Sequence, residues 1–470
     1  MTERKARRLS PLTPVVRSFI VVVAAGTTIV RDVTRGDIGP TALLFAGLLV
    51  AGGIYGTASW LRTTFWIEAD ELRVDTGVIS RQSRRIRIDR LQGIDIVQPF
   101  VARLFGLAEL RMDVAGGSAR EGSLAYLPLA EARRLKDLLL ARRDALGSRR
   151  GAAAREAAGV SGAAGAPGAP GQPGLSGPSG PSAPPGQEPA QPPPPRPDQV
   201  LARVDMGTLL LSIVLSGESV ALLVVGVGAL GAFAATGQWL GFSVLVPVLL
   251  GIGVAQFRKY SANYRFTVSE TEAGLQLRRG LFDLSSQTIA LGRVQGVVVT
   301  QPLLWRALGW ARLDVSIAGY ASLGGESGPA ASTVLPVGDL RLVQQLARYV
   351  LRDLDLEQVH LRPVPERARW VAPVARRFLR VGTDERLVVS REGWLTRRTH
   401  AAPQARIQSV RITQGPWQRR LDLADVHIDS PPGPTHVRAR HRDAAEARRL
   451  FGVEVAMGAW ARRQLPAGDR

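Results

Sequence analysis

The fold is decided by residues 90–108, which read RLQGIDIVQPFVARLFGLA, because the same pattern returns twice later in the chain. Residues 293–311 read RVQGVVVTQPLLWRALGWA, and residues 406–424 read RIQSVRITQGPWQRRLDLA. Arg, Gln, Gln, Arg and Ala keep the same spacing in all three stretches, and no gap interrupts any of them. Such repetition does not arise by chance, so the chain contains three homologous domains.

The sequence around each repeat predicts a small β-rich domain. Alternating apolar residues predict strands before and after the repeat, and Gly77, Gly280 and Gly393 predict tight hairpin turns between the early strands. Each copy ends in an amphipathic segment, and the closing helix is predicted to begin at Pro128 in the first copy and at Pro336 in the second. Many strands followed by one helix indicate a β-barrel or sandwich with a C-terminal capping helix.

Long uncharged segments precede the first two copies and predict two transmembrane hairpins, at 15–61 and 206–257. A signal peptide is the alternative for the first, although Arg17 interrupts its apolar run. Arginines flank the segments on the sides of the domains. By the positive-inside rule, the N-terminus, the region between the hairpins and the C-terminus all lie in the cytoplasm. This arrangement predicts a multi-pass protein of the cell inner membrane.

Hairpins followed by Arg-x-Gln-x, Gln-Pro and Arg-x-x-Gly-Leu-Ala motifs resemble the membrane-flanked bacterial pleckstrin-homology-like (PH-like) domains. The third copy departs from the pattern, with Asp422 where the others have Gly106 and Gly309. The resemblance implies PH-like barrels on the cytoplasmic face and no catalytic residues. It also implies a component of cell-envelope stress or antimicrobial-resistance systems.

The predicted fold class is therefore α-helical transmembrane hairpins plus repeated PH-like domains. The predicted boundaries are 1–14 for a basic cytoplasmic tail, 15–61 for the first hairpin, 62–147 for the first PH-like domain, 148–200 for a Gly/Pro/Ala/Ser-rich linker, 206–257 for the second hairpin, 258–355 for the second PH-like domain and 362–457 for the third, which lacks its own hairpin.

The linker has a composition that cannot bury a core, so it is expected to be a flexible tether. Glycine recurs at every third position over 159–182, which is a collagen-like period. Collagen-type trimerisation is the alternative interpretation, disfavoured by the short run and by the predicted cytoplasmic location.

Composition narrows the possible chemistry. The chain has no cysteine, which excludes disulfides, thiolate metal sites and cysteine nucleophiles. The five histidines show no zinc spacing, and no phosphate-binding loop or nucleophile elbow is present. The sequence thus predicts no enzyme, no cofactor, no metal and no small-molecule substrate. Lys and Arg number 60 against 40 acidic residues, and a net charge of +20 favours an anionic partner.

The repeated Arg and Gln pairs form one candidate interaction site. Because the two residues of each pair are expected to alternate along a strand, they would point to one face and form a ligand-facing row. The alternative, favoured by their presence in every copy, is that they satisfy neighbouring backbone groups. The pairs are Arg90 with Gln92, Arg293 with Gln295, and Arg406 with Gln408.

The third copy carries a second candidate site, because the chain from Arg362 onward has 22 arginines against 11 acidic residues. Lacking its own hairpin, this domain is expected to lie against anionic lipid head groups. Nucleic acid is the alternative, disfavoured because no exposed aromatic residues are expected among the arginines. The candidate lipid contacts are Arg397, Arg398, Arg419 and Arg420.

Glu218 is the one ionisable residue inside the predicted spans. The leading hypothesis is a membrane scaffold whose PH-like domains bind anionic lipid, a partner membrane protein or one another. The alternative is a transporter or lipid-handling component that uses Glu218 and the hairpins, since carboxylates within a membrane often serve as ion sites. A peptidase or hydrolase is a weaker option.

Overall fold

A computed structural model describes residues 7–8, 40–68, 70–76, 82–114, 123–161, 199–236, 242–271, 274–318, 333–431 and 433–464. Most of the first predicted hairpin, the turn glycine Gly77 and nearly all of the collagen-like stretch lie outside these residues.

The first domain consists of antiparallel strands with a short helix among them and a long helix at the end. Its elements are β1 (Arg7–Arg8), α1 (Pro40–Arg62), β2 (Thr64–Glu68), β3 (Glu71–Thr76), β4 (Gln82–Arg87), a 3₁₀ helix (Ile88–Arg90), β5 (Leu91–Gln98), α2 (Phe100–Leu104), β6 (Leu107–Val114), β7 (Ser123–Pro128) and α3 (Leu129–Ser161). The buried side chains of Leu72, Ile86, Leu110, Leu127 and Leu139 come from both halves of the strand set and from α3, and they form one core.

The second domain repeats this order and contains three additional apolar helices between its first two strands. Its elements are β8 (Gln199–Arg203), α4 (Met206–Val214), α5 (Gly217–Thr236), α6 (Phe242–Asn263), β9 (Thr267–Thr271), β10 (Gly274–Arg279), β11 (Leu284–Ile289), a 3₁₀ helix (Leu291–Arg293), β12 (Val294–Pro302), α7 (Leu303–Ala307), β13 (Trp310–Ile317), β14 (Thr333–Asp339) and α8 (Leu340–Val350). One face of α8 is buried because Val343, Leu346 and Val350 recur at helical spacing.

The third domain has two short 3₁₀ helices between its first two strands. Its elements are β15 (Arg362–Pro363), 3₁₀ helices (Glu366–Trp370 and Ala375–Phe378), β16 (Arg380–Thr383), β17 (Leu387–Glu392), β18 (Thr396–Pro403), a 3₁₀ helix (Gln404–Arg406), β19 (Ser409–Thr413), α9 (Pro416–Arg420), β20 (Leu423–Asp429), β21 (Val437–Asp443) and α10 (Ala444–Gln464). The predicted plan of strands followed by a closing helix therefore holds in all three copies.

Neighbouring domains share their sheets. The described strands form sheets of order β1-β2-β3-β4, β7-β6-β5-β11-β10-β9-β8, β14-β13-β12-β18-β17-β16-β15 and β19-β20-β21. The second half of the first domain thus continues into the first half of the second domain through β5 and β11. The second and third domains are joined in the same way through β12 and β18. These main-chain ladders connect the three domains in a row.

The left-handed position after each short helix explains why two copies carry glycine and the third does not. Gly106 and Gly309 have φ of +67° and +69°, and Asp422 adopts φ of +52° at the same place. Glycine reaches this region without strain, and aspartate is among the few other residues that tolerate it. The substitution therefore leaves the fold of the third copy unchanged.

Several boundaries differ from those predicted, because hydropathy cannot show which short polar segments add edge strands. Arg7 and Arg8 of the predicted tail pair with β2, and β8 pairs with β9 although it precedes the helices. Helix α3 continues to Ser161, into the predicted linker. The closing helix of the second domain begins at Leu340 rather than at Pro336, which lies in the edge strand β14, because the Asp339 side chain caps the helix and accepts a hydrogen bond from the Arg341 N–H at 3.0 Å.

The apolar helices only partly match the predicted hairpins. No single helix among the described residues is long and apolar enough to cross a membrane, but the pair α4 and α5, bent by 51°, meets the requirements of length and composition together. The bend arises because α4 packs on the second domain. Leu209 lies in the core of that domain, and the Trp305 indole N–H donates to the Ser212 carbonyl oxygen at 3.1 Å.

We predict that Gly296→Ala weakens the junction between the second and third domains. A Cβ at this residue would lie 2.7 Å from the Ala401 carbonyl oxygen and 2.9 Å from Thr435 Cγ2. Overpacking of this kind costs about 1–3 kcal/mol. Hydrogen exchange should therefore be faster in β12 and β18 of the variant. Ser409→Ala is the matched control, since Ser409 holds the same repeat position on an unshared strand. Equal effects of the two substitutions would contradict the junction.

Candidate functional site

The strands of each domain run between two ends, and the apolar helices of the second domain lie at one of these ends. At the tip of the β10–β11 hairpin, the Gly280 N–H donates to the Tyr264 carbonyl oxygen at 2.9 Å and the Leu281 N–H to the Ser261 carbonyl oxygen at 2.8 Å. The rings of Phe257 in α6 and Phe282 in the hairpin are 6.0 Å apart. We call this the helical end of the domains and the other the opposite end. Because the strands are antiparallel, the β17–β18 tip also lies at the helical end.

The third domain places a short basic segment where the second domain has its apolar helices. In both domains the strand before the insertion pairs with the strand after it, β8 with β9 and β15 with β16. The insertion in the third domain is residues 364–379, with the two 3₁₀ helices. Trp370 is 71% exposed and Val374 is 56% exposed within it. The insertion that stands in place of the apolar helices thus presents apolar side chains to its surroundings.

Two further tryptophans are exposed at the same end of the third domain. Trp394 lies at the β17–β18 tip and Trp417 in α9. The Arg420 guanidinium lies 5.8 Å from the Trp417 ring centroid, and the Arg369 guanidinium lies 5.2 Å from that of Trp370. The expectation of no exposed aromatic residues among the arginines is therefore wrong, because sequence alone does not show which tryptophans the core excludes.

The four candidate lipid-contact arginines lie at this end. Arg397 and Arg398 follow the β17–β18 tip, and Arg419 and Arg420 end α9. We call the surface formed by these residues and the three tryptophans the Trp–Arg end. Its members are Trp370, Trp394, Trp417, Arg397, Arg398, Arg419 and Arg420.

Arg397 lies among other arginines, and Glu357 is an acidic neighbour of one of them, Arg391. Burial, followed by Arg397 and Arg380, lowers the pKa of Arg391. Burial and then Arg397 also lower the pKa of Arg306. Guanidinium groups that disfavour one another's charge gain from an anion between them, and phosphate accepts hydrogen bonds from arginine in a bidentate manner. These arginines would therefore accommodate an anion.

The first two domains also expose apolar side chains from their short helices. These helices follow β5 and β12, so they lie at the same end of the strands as α9. Isolated exposed apolar residues are common, but here all three copies repeat them in one place. The exposed side chains are Phe100, Leu104 and Phe105 in the first domain and Leu303, Leu304 and Leu308 in the second.

The opposite end carries acidic turns in each domain. Glu68, Asp70 and Glu71 lie around the β2–β3 turn of the first domain, and Glu270 lies in β9, which leads into the β9–β10 turn. Asp384 and Glu385 form the β16–β17 turn of the third domain and are exposed. The exposed apolar groups are therefore at one end of the domains and the acidic turns at the other, where arginines such as Arg386 also lie.

The repeated Arg and Gln pairs do not join the Trp–Arg end. The arginines close the 3₁₀ helices Ile88–Arg90, Leu291–Arg293 and Gln404–Arg406 at the opposite end, not strands as predicted. Because each arginine precedes the strand, the two residues of a pair do not alternate along one strand. Gln295 is buried, and its side-chain amide donates to the Arg293 carbonyl oxygen at 3.3 Å. The Arg406 guanidinium donates to the Gly292 carbonyl oxygen in the second domain at 2.6 Å.

The second repeated glutamine has the same structural role in every copy. The side-chain amide of Gln98 donates to the Leu107 carbonyl oxygen at 3.2 Å, and that of Gln301 donates to the Trp310 carbonyl oxygen at 3.4 Å. Gln414 donates to the Leu423 carbonyl oxygen at 2.9 Å. In each case the bond closes the loop around the short helix. The repetition of this glutamine therefore reflects the fold.

Glu218 lies in the first turn of α5, and its carboxylate pairs with the Lys259 ammonium near the C-terminal end of α6. Both positions are near the helix ends next to the second domain, so the pair lies close to the helical end of the domains, and both side chains are largely exposed. Among the residues that the structure describes, no group of three His, Asp or Glu side chains could hold a metal ion.

Comparison with known proteins agrees with the repeated architecture. The bacterial PH domain family matches residues 18–143, 210–354 and 365–453. A stretch of 96 residues is 34% identical to the UPF0699 transmembrane protein YdbT of Bacillus subtilis (strain 168), and it covers 20% of this chain and 19% of that protein. No solved structure matches. Because the family match extends over most of the chain in three copies, the chain belongs to the bacterial PH domain family.

Proposed function

We propose that this bacterial PH-domain protein is a membrane-anchored, non-enzymatic scaffold. Its apolar helices hold the joined domains at the cytoplasmic face of the cell membrane, and the Trp–Arg end of the third domain rests on anionic lipid head groups. Both termini and the segment between the hairpins lie in the cytoplasm. The role in cell-envelope stress or antimicrobial resistance that the resemblance implies is part of this proposal.

The observation that carries the proposal is the replacement of apolar helices by residues 364–379 at the same point of the fold. Arg258 and Lys259 lie in the turn before the last one of α6, near the domains, as expected of a helix that leaves the membrane on its cytoplasmic side. A segment at that level faces head groups, where tryptophan rings and arginines are both stabilised. The acidic turns at the opposite end favour the same orientation. A transmembrane relative of the chain supports membrane association.

A depth measurement tests the proposed orientation. Because the chain has no cysteine, Val374→Cys and Glu385→Cys each give a single site for a spin label. In nanodiscs that contain anionic lipid, a label at Val374 should collide strongly with dissolved oxygen and weakly with a water-soluble nickel chelate. A label at Glu385, at the opposite end, should show the reverse. Two labels with the same aqueous accessibility would refute the orientation.

A further inference from the structure

The chain uses one kind of junction twice, in the same register. In the first junction Val97 pairs with Ser285. In the second junction Thr300 pairs with Arg398. The motif alignment makes Val97 and Thr300 equivalent, and the strand order makes Ser285 and Arg398 equivalent. The second half of one domain therefore pairs with the first half of the next in the same register at both junctions.

An arginine of the repeated motif secures each junction. The Arg103 guanidinium donates to the Leu281 carbonyl oxygen at 3.2 Å, and the Arg306 guanidinium donates to the Trp394 carbonyl oxygen. Donors and acceptors are again equivalent repeat positions. Arg419 is the third copy of this arginine, and its guanidinium has no hydrogen bond or ion pair to any residue that the structure describes. Arg419 thus holds the position of a junction arginine but has no acceptor among the described residues.

The two strands that would form a third junction are both at sheet edges. Within the described residues, β4 ends the first sheet and β19 ends the last. Along β19 only Val410 is partly buried, and Ile412 is 37% exposed. In contrast, β12, which is the same strand in the second domain, is almost entirely buried. Unpaired N–H and C=O groups on an edge strand are a template for pairing with another strand.

We propose that β19 binds the β4 edge of a second copy of this chain, head to tail. The register of the first two junctions places Thr413 opposite Gln82 and Ile412 opposite Ser83 of the incoming copy. The third junction is assigned the three-pair ladder of the first junction rather than the six-pair ladder of the second. The short ladder ends before Arg411 and Arg84, which keeps these like charges from being paired.

The proposed junction suits proteins held in one membrane. Both existing junctions keep the helical ends of neighbouring domains on the same side, so a third junction would leave the helices of both copies in one plane. A head-to-tail contact is heterologous, and it produces a ring if it closes or a chain if it does not. The proposal deepens the scaffold role and rests on it, since a shared membrane would hold the two copies in the orientation that the junction requires.

Disulfide trapping tests the register directly because the chain is free of cysteine. Thr413→Cys and Gln82→Cys chains with different tags should be mixed in detergent and oxidised. We expect a covalent dimer that carries both tags, at least ten-fold more abundant than in a mixture of Thr413→Cys with Arg85→Cys. The latter pair is out of register by three residues and points to the other face. Val97→Cys with Ser285→Cys in one chain is the positive control, as this pair holds the same place in the first junction.

The outcomes separate this proposal from the scaffold proposal. If the intrachain control closes and the mixed dimer does not form, the proposed docking of a second copy is wrong. The orientation measured at Val374 would be unaffected by that result. Arg419→Ala should reduce the mixed dimer several-fold in detergent, whereas Arg420→Ala, which removes the neighbouring charge, should not. Equal yields for the two variants would assign Arg419 no part in the junction.

Discussion

Removing Arg397 and Arg398 should weaken binding of the third domain to anionic vesicles by roughly 30-fold. Each basic residue near an anionic surface contributes about 1 kcal/mol, so two of them contribute about 2 kcal/mol. The measurement is flotation of a fragment from residue 356 to the C-terminus, with wild-type and Arg397→Gln/Arg398→Gln forms compared at one salt concentration. Circular dichroism should first show that both forms are folded. Adding Arg419→Gln and Arg420→Gln should remove most of the remaining affinity.

A matched control separates an oriented face from simple net charge. Arg386→Gln/Arg463→Gln also removes two charges, and these residues lie in the β16–β17 turn and near the end of α10, away from the Trp–Arg end. This pair should weaken binding only a few-fold. If both pairs weaken it equally, the domain has no preferred face. Wild-type binding should fall as salt rises, because exposed charges are screened within about 10 Å at 0.1 M salt. Neutral vesicles should bind only through the tryptophans, and so weakly.

The repeated fold could be predicted from the sequence because the motif residues keep the same spacing in all three copies, although the residues between them differ. The 19-residue pattern is visible in all three copies, and Asp422 keeps the backbone conformation of Gly106 and Gly309. The order of strands and the closing helices follow from local patterns that each copy repeats. The shared sheets could not be predicted, since strands that pair across two domains lie about 190 residues apart in the first junction, and long-range register leaves no local signature.

For the candidate sites too, the sequence shows which residues are present but not which residues the fold brings together. Arginines such as Arg397 and Arg398 could be found by counting charge, but their position beside exposed tryptophans depends on which end of the strands each turn occupies. Arg103 and Arg306 were missed as junction residues although the repeats contain them. The signal was present in the conserved spacing of that arginine, but its acceptors, Leu281 and Trp394, belong to the next domain. The sequence does not distinguish a motif residue that bonds to the next domain from one that bonds within its own repeat.

The largest expected effect on stability concerns His400, which lies in β18 at the second junction. The residue is 4% exposed, and its Nδ1 accepts a hydrogen bond from the His436 N–H at 3.2 Å. Burial, followed by the charges of His436, Arg398 and Arg438, lowers its pKa from 6.5 to about 4. Glu392 Oε1 lies 3.7 Å from His400 Nε2 and would favour the charged ring, but burial and the neighbouring cations outweigh it. His400 is therefore neutral in the folded junction.

Acidification should open this junction. Between pH 6.5 and about 4, the unfolded state binds a proton that the folded state does not, so the free energy of unfolding falls as the pH falls. The full loss is on the order of 3 kcal/mol, and it is complete near pH 4 because both states are protonated below that value. Going from pH 7 to pH 5 should remove about 2 kcal/mol of protection from the amides of β12 and β18. Hydrogen exchange corrected for intrinsic rates measures this change.

His400→Asn is the variant that isolates the effect, because its side-chain oxygen can accept the His436 N–H in place of Nδ1 but does not titrate. In this variant protection of β12 and β18 should change little between pH 7 and pH 5. Burial raises the pKa of Glu454 in α10, so that group holds its proton better in the folded state and stabilises the third domain as the pH falls. Its contribution is opposite in sign and common to both proteins, so it cancels in the comparison. If wild type and His400→Asn lose equal protection on acidification, the junction is not controlled by His400.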